Sequence, residues 1–352
     1  MSKTRIITVV CWVISATALL GFTLWFIIGL GLNGDSWPFT FGSFEPVGSH
    51  LVSAEQIDSI SIDWTAGAVY IGAHSGDEIQ ITEFAQRPLR ENEHLKLNVG
   101  DGAFAIYFTE HRIMRNNMPA KRLEVLIPYS LSESFEHLHV NTVSGRIGIS
   151  NINADTFIAR TTSGRIELTD ISAHTLNAST TSGRIELSTM QAEAIYLRTT
   201  SGRIELTDIS SYTLDAYAIS GRISLRTVNA EEVRLQTTSG QIVASSTRAQ
   251  ILRTNTVSGR HELFGSFQSV NARSTSGRIE ILSSIIPESL AATATSGRIS
   301  VTVPNEGAIG VQFSTRSGRF TSQLPVITHA GADAQFNLST GSGRISIYEL
   351  IR

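Results

Sequence analysis

Cysteine is nearly missing from this 352-residue chain: Cys11 stands alone, so no disulfide framework can form within it. Aromatic residues make up only 7%, and nothing resembles a helical bundle. A strong charge of either sign is absent as well. Lys and Arg total 28 against 31 Asp and Glu, and a net charge of -3 gives bulk electrostatics no reason to select nucleic acid. Aspartate clusters do not occur, and Asp170 and Asp208 stand singly in turns. There is neither a calcium-binding nonapeptide nor a phosphate-cradling glycine loop. His137 and His139 could offer two imidazoles on one strand face, but a third ligand is not apparent. These absences argue against an enzyme and predict neither metal nor cofactor.

What the chain does contain begins with one long apolar run. After Lys3 and Arg5, residues 6–32 carry no charge, and about 20 apolar residues suffice to cross a bilayer as a helix. The run is longer than the apolar core of a cleaved signal peptide, although Ser15-Ala16-Thr17-Ala18 could serve as a cleavage site. The expectation is an uncleaved single-pass anchor in the cell membrane. Lys3 and Arg5 hold the N-terminus in the cytoplasm, and everything after Leu32 is placed outside. Residues 33–55 have the Gly, Pro and Ser content of a linker but also Trp37, Phe39, Phe41 and Phe44. These rings fit either an aromatic collar at the membrane–water interface or a tether packed on the following domain.

Beyond the linker the chain repeats itself. TTSGRIELTD at residues 161–170 recurs at 199–208, and TTSGRIELS fills 180–188. The serines of the Ser-Gly pairs are Ser144, Ser163, Ser182, Ser201, Ser220, Ser239, Ser258, Ser276, Ser296, Ser317 and Ser342. The first seven are spaced by 19 residues, and later gaps are 18, 20, 21 and 25. A period near 20 marks a solenoid. Six residues before each serine stands an apolar residue, such as Leu138, Phe157, Leu176 or Ile195, and four before stands Val140, Ala159, Ala178 or Leu197. Three and five beyond come pairs such as Ile166 and Leu168, with a further apolar residue at eight beyond, such as Ile171. That alternation is the period of a strand with one buried face. One unit cannot bury its apolar face alone, so units must stack. The prediction is an all-β fold, a parallel β-solenoid of about a dozen coils of ~19 residues, preceded by one transmembrane helix.

The glycines at the repeated corner are Gly145, Gly164, Gly183, Gly202, Gly221, Gly240, Gly259, Gly277, Gly297, Gly318 and Gly343. Their expected role is structural, at a corner needing positive φ, with the serine hydroxyl satisfying nearby backbone groups. Upstream, Ile60, Ile62 and Trp64 lead into Ala66-Gly67, and Leu95, Leu97 and Val99 lead into Asp101-Gly102, with Phe104 and Ile106 after it. The chain therefore divides into a cytoplasmic stub (1–5), a membrane helix (6–32), a linker (33–55), degenerate coils or a cap (56–136) and the regular repeat (137–352).

The lead-in at residues 59–70, LEVLIP at 123–128 and the tandem Ser-Gly-Arg-Ile units from 144 onward resemble the bacterial β-strand-repeat family of unknown function known as adhesin-like. That family includes the LiaG-type and YvlB-type envelope proteins. The resemblance covers roughly residues 56–350 and implies a membrane-associated, extracytoplasmic β-solenoid, in some members linked to envelope stress. It assigns no mechanism to particular residues.

One column carries a candidate site. Arg146, Arg165, Arg184, Arg203, Arg222, Arg260, Arg278, Arg298, Arg319 and Arg344 lie two past the serine, and Gln241 alone breaks the series. Parity puts them outside, with Glu167, Glu186, Glu205, Glu262 and Glu280 further along the same face. At Arg222, Arg298, Arg319 and Arg344 the matching position holds Ser224, Ser300, Thr321 and Ser346 instead. The column is either a solvated charge ladder or a stripe that binds anionic envelope polymers, since Arg suits phosphate through its planar fork. Thr162, Thr181, Thr200, Thr238, Thr275 and Thr295 form a second exposed column, without the second threonine rank an ice-binding surface needs, and serve as strand formers. His261 takes an inward position normally held by Ile, either as a hydrogen-bonded irregularity or as a ligand-binding notch. The last coil at 344–348 lies close to the chain end, so an uncovered edge invites end-to-end self-association or an envelope protein partner, unless residues 322–335 fold over it. The functional expectation is a non-enzymatic, cell-envelope binding module, or alternatively a scaffold.

Overall fold

The structure is a computed structural model that describes residues 44–351 apart from 55–56, 101, 110–118, 133–134, 308 and 328–333. The expected membrane helix at 6–32, and Trp37, Phe39 and Phe41 of the linker, lie outside the described residues. Among the described residues no helix is long and apolar enough to cross a membrane.

The alternation read from the sequence becomes a solenoid-like stack of coils. In one coil Phe157, Ala159 and Thr161 point inward, then Ile166 and Leu168, then Ile171. Inward residues alternate within each group, and the alternation breaks between groups, so every break is a corner. Each coil pairs with the next in parallel register, Phe157 beside Leu176 and Ile166 beside Ile147, for example. The pairing runs on through the Ser-Gly-Arg corner. The Gly164 N–H donates to the Ser182 carbonyl at 3.2 Å, and the Ile147 N–H donates to the Arg165 carbonyl at 2.8 Å. Residues Ile166–Ser220 consequently form one unbroken extended stretch of 55 residues.

The corner glycines are required for a reason other than the expected one. Among them only Gly343 has a positive φ, at 152°. The others are forced by stacking. A Cβ on Gly145 would lie 1.6 Å from the Gly67 carbonyl oxygen, and one on Gly183 would lie 1.7 Å from that of Gly164. Backbone sits on backbone at this corner, so no side chain fits. Positive φ belongs to the next corner, seven residues past the serine: Asn151, Asp170, Thr189, Asp208, Thr227 and Ser246 all lie between 51° and 57°. Asn and Asp tolerate this left-handed conformation, while Thr189 and Thr227 hold it against their β-branched shape. The series ends where the period drops to 18. There Ser245 and Ser246 are opposed by Phe264 alone, and Gly265 pairs with Thr247. The shortened coil has lost its left-handed residue.

A further inward column sits two residues before each serine and escaped the sequence pattern. Thr142, Thr161, Thr180, Thr199, Thr237 and Thr256 are buried there. Thr142 bonds Thr161 at 2.9 Å, while the hydroxyls of Thr180 and Thr199 find no partner among the described residues. Stacked threonines thus line the inside of the glycine corner.

Both ends of the stack break the sequence order. At the N-terminal end, β1 is Glu45–Ser53, β2 Ser59–His74, β3 Glu78–Ala85, β4 Lys96–Val99, β5 Ala103–Tyr107 and β6 Lys121–Pro128. β2 is a true coil, paired on one side with residues 137–149. Its other side carries β5 and β6, which come later in sequence. β5 places Phe104 beside Ile60, and β6 places Lys121 beside Gly67. The expected coil through Leu95, Leu97 and Val99 does not form: β4 turns back antiparallel on β5, and β3 and β1 close over β6 antiparallel. At the C-terminal end Ala334–Ser342 inserts between Ser289–Ser296 and Ile309–Ser317. The outermost coil is therefore built from residues 309–327, not from the expected 344–348, whose strand Ile345–Glu349 is sandwiched between Ile299–Val303 and Phe320–Ser322.

Candidate functional site

The arginine column follows from the corner. The residue after Gly faces out and the next, Ile or its equivalent, faces in, so every Ser-Gly coil but that of Gln241 sets an Arg at the same edge. Its first part is laced with carboxylates across coils. Arg165 meets Glu167 at 2.6 Å, and Arg184 meets Glu186 at 2.6 Å. Arg146 reaches Glu167 of the next coil at 3.7 Å, and Arg184 reaches Glu205 at 3.9 Å. Arg260 pairs with Glu262 at 3.1 Å. Glu186 raises the Arg184 pKa by hydrogen bonding, which fixes its charge further. Each such partly exposed pair is worth about 0–1 kcal/mol.

Arg203, Arg222, Arg278, Arg298, Arg319 and Arg344 have no carboxylate within 4.0 Å among the described residues. For Arg222, Arg298, Arg319 and Arg344 the sequence foretold this. Arg203 and Arg278 are additions, because Glu205 serves the preceding coil's Arg184 and Glu280 reaches no arginine. The structure thus joins all ten arginines along one edge, with a neutralised stretch from Arg146 to Arg184 and an otherwise uncompensated remainder that Gln241 and the Arg260–Glu262 pair interrupt.

A second basic patch was not recognised from sequence. Arg234, Arg253 and Arg273, with Gln236, Asn255 and Asn271, line a shallow depression of about 280 Å³ on the outer face ahead of the corner. Arg234 pairs with Glu232 at 3.2 Å and Asp215 at 3.7 Å, and Arg253 pairs with Glu232. Arg273 has no carboxylate partner among the described residues. The signal was in the sequence, as arginines three and five residues before the serine, but it holds only in neighbouring coils and is diluted by the regular column.

His261 resolves as the hydrogen-bonded irregularity. It is fully buried, with Nδ1 2.8 Å from the Thr254 hydroxyl and Nε2 2.8 Å from the Thr256 hydroxyl. Thr256 in turn donates to Ser274 at 3.2 Å. Burial lowers the His261 pKa to about 4, so the imidazole is neutral near pH 7. His137 is exposed and His139 half-buried, the latter with its pKa lowered by burial and by Arg160. No group of three or more His, Cys, Asp or Glu side chains able to hold a metal occurs among the described residues.

The coil architecture and the residues that build it agree with a known class. The Toastrack DUF4097 family model matches residues 57–226 and 209–348, and the chain belongs to this family. Among solved structures the chain is similar to a "putative adhesin" of Parabacteroides distasonis, at 15% identity and a TM-score of 0.38, covering 86% of this chain and 98% of that one. A second "putative adhesin", from Bacteroides fragilis, aligns at 12% identity and a TM-score of 0.30 over 85% of this chain and 96% of that one. A "putative lipid binding protein" of Parabacteroides distasonis aligns at 14% identity and a TM-score of 0.35 over 88% and 98%. No curated protein matches the sequence at a significant level.

Proposed function

We propose that this chain is a non-enzymatic binding module of the cell envelope, anchored through residues 6–32 in the cell membrane with its stack outside. Its uncompensated arginines read anionic envelope polymers. The observation that carries this reading is the division of the column. Where a ladder only needs to stay soluble, glutamates neutralise it, as at Arg165 and Arg184. Arg222, Arg298, Arg319 and Arg344 have a hydroxyl residue where others have Glu, and no carboxylate partner among the described residues. Arg278, Arg298, Arg344 and Arg319 stand on adjacent coils, roughly 4.8 Å apart, and suit a chain of phosphates or carboxylates, with Arg222 further along the same edge.

The test is co-sedimentation of the full-length chain, held in detergent, with isolated cell envelopes across a salt titration. Capture should fall steeply with salt. Replacing Arg222, Arg298, Arg319 and Arg344 together by Gln should weaken it by about tenfold or more, a loss of roughly 1.4 kcal/mol. Capture indifferent to both salt and the substitutions removes the reading.

A second reading, a scaffold that joins end to end, is favoured by one feature. The outermost C-terminal strand, Ile309–Ser317, has among the described residues only Val326–Ile327 on its free side, and Phe313 there is 46% exposed. Phe313 stacks on Phe320 with ring centroids 4.1 Å apart. An open strand edge with apolar rings invites pairing with another chain. Sedimentation equilibrium of the full-length chain distinguishes the two: a monomer at high concentration excludes the scaffold.

A further inference from the structure

A long concavity among the described residues lies away from the arginine column. It is a groove of about 850 Å³ running parallel to the stacking axis over the corner that follows Ile171 and its equivalents. Small side chains make it. Ala173, Ala192, Ser211, Ala230 and Ala249 occupy one position in successive coils, so the floor of this corner is built of small side chains. Along one wall Ser172, Gln191, Ser210, Asn229 and Arg248 repeat with the coil. Tyr212 stands in the groove, 59% exposed.

The lining mixes polar with apolar surface, and its hydrogen-bonding groups are open. The side-chain amides of Gln191, Asn229, Gln250 and Gln268 and the Tyr212 hydroxyl bond no other protein group among the described residues. The Ser211 hydroxyl, buried at the floor, is likewise unpartnered among them. Charge does not favour an anion here. Glu193, which pairs with His174 at 3.2 Å, and Glu231 line the groove together with a single arginine, Arg248. From Ser172 to Gln268 the wall spans about 24 Å at roughly 4.8 Å per coil.

We infer that this groove binds an uncharged, extended glycan strand, at a site separate from the arginine column. The period selects the ligand. A pyranose in an extended β-linked glycan advances by close to one coil spacing, so successive sugars meet equivalent amides and hydroxyls. A peptide strand advances about 3.2–3.4 Å per residue and falls out of step. A nucleic acid strand would bring its phosphates against Glu193 and Glu231. Tyr212 offers an aromatic face for a sugar ring to cover and a hydroxyl for a polar contact, the combination that makes tyrosine common at interfaces. The amides supply both donors and acceptors, matching hydroxyls that are themselves both.

The experiment is calorimetric titration of the full-length chain, in a sugar-free detergent, with cellohexaose and chitohexaose, at low and high salt. Saturable binding of either hexasaccharide that is insensitive to salt supports the site. Tyr212→Ala and the pair Gln191→Ala/Asn229→Ala, all at exposed positions, should then each weaken binding by about tenfold or more with circular dichroism unchanged. Three results overturn the inference. They are no binding of either hexasaccharide at millimolar concentration, binding equal in the variants and the parent, and binding that collapses with salt. The polyanion reading is judged separately by the salt-dependent envelope capture, so the failure of this site and of that reading are told apart.

Discussion

The two ends of the stack solve the same problem differently. Every coil in the middle has a neighbour on each side, but an end coil leaves its core and its backbone edge open. At the N-terminal end β4, β3 and β1 fold back antiparallel, and a buried polar group locks them. Lys121 and Glu83 are both fully buried and meet at 2.7 Å. The Lys121 ammonium also donates to the carbonyls of Glu93, at 2.7 Å, and Phe108, and lies over the rings of Phe108 and Trp64. Glu83 accepts from the Leu95 N–H at 3.0 Å and faces His94 at 3.0 Å. Lys121 occupies the register position of the corner glycines, so the repeat is broken there by a charge that only the cap can satisfy. At the C-terminal end nothing comparable is present among the described residues. The last coil ends in a stacked phenylalanine pair and a strand edge with a two-residue partner. One end is closed around a buried ion pair, and the other, among the described residues, by a stacked ring pair and a few hydrogen bonds without a buried charge.

The sharpest way to break this contrast is at the closed end. Lys121→Met leaves Glu83 buried without its cation and should cost about 3–5 kcal/mol. Lys121→Met/Glu83→Gln should cost less than the sum of the single changes, and urea unfolding of the four proteins measures the coupling. Equal costs at both ends, with Phe313→Ala as destabilising as Lys121→Met, would erase the distinction.

Acid provides a probe of the middle. The His261 pKa is about 4 when folded and near 6.5 in the unfolded chain, so the unfolded state binds more protons between those values. Stability is therefore full above about pH 6.5 and falls as pH drops toward 4, by about 3 kcal/mol at most. Burial acts on His139 in the same direction. His261→Ile should flatten most of this slope in thermal unfolding followed from pH 7 to 4. The cap responds in a lower window: the Arg87 hydrogen bond holds the Glu93 pKa to about 2, and its contribution is present above about 4.5 and lost only as pH falls toward 2.

The smallest effect is expected at the open end. Phe313 is already half-exposed, so Phe313→Ala should cost only about 1 kcal/mol, mostly through the lost ring stacking. Hydrogen exchange should show residues 309–317 opening more readily in this variant while the amides around Lys121 keep their protection. Uniform loss of protection along the stack would show that the ends are energetically linked.

Much of this was legible beforehand because a stacked coil repeats its constraints. The inward Leu, Ile and Val columns, the outward arginines and the corner glycines all recur at one spacing, and one unit explains the rest. Where local sequence departs from the repeat, legibility fell. Leu95, Leu97 and Val99 alternate like a coil but form a hairpin strand, since period 2 does not distinguish parallel from antiparallel pairing. The buried threonines were passed over because a hydroxyl two residues before the serine looks outward by chemistry and lies inward by parity. Glycine was assigned positive φ from its usual use, whereas the distance to the carbonyl of the stacked glycine is a property of two coils together.

The sequence by itself determined the coil: its length, its inward and outward faces, its glycine corner and the edge on which the arginines stand. Those follow from side-chain alternation and steric size, which act over a few residues. Only the tertiary structure decided which coil lies beside which. Coils present similar faces to one another, so neighbours are interchangeable as far as local pattern goes. The swapped order at both ends, the Lys121–Glu83 lock and the groove over the alanine corner depend on which backbones meet. That choice is settled by how the ends of the stack bury their apolar faces and satisfy their buried charges.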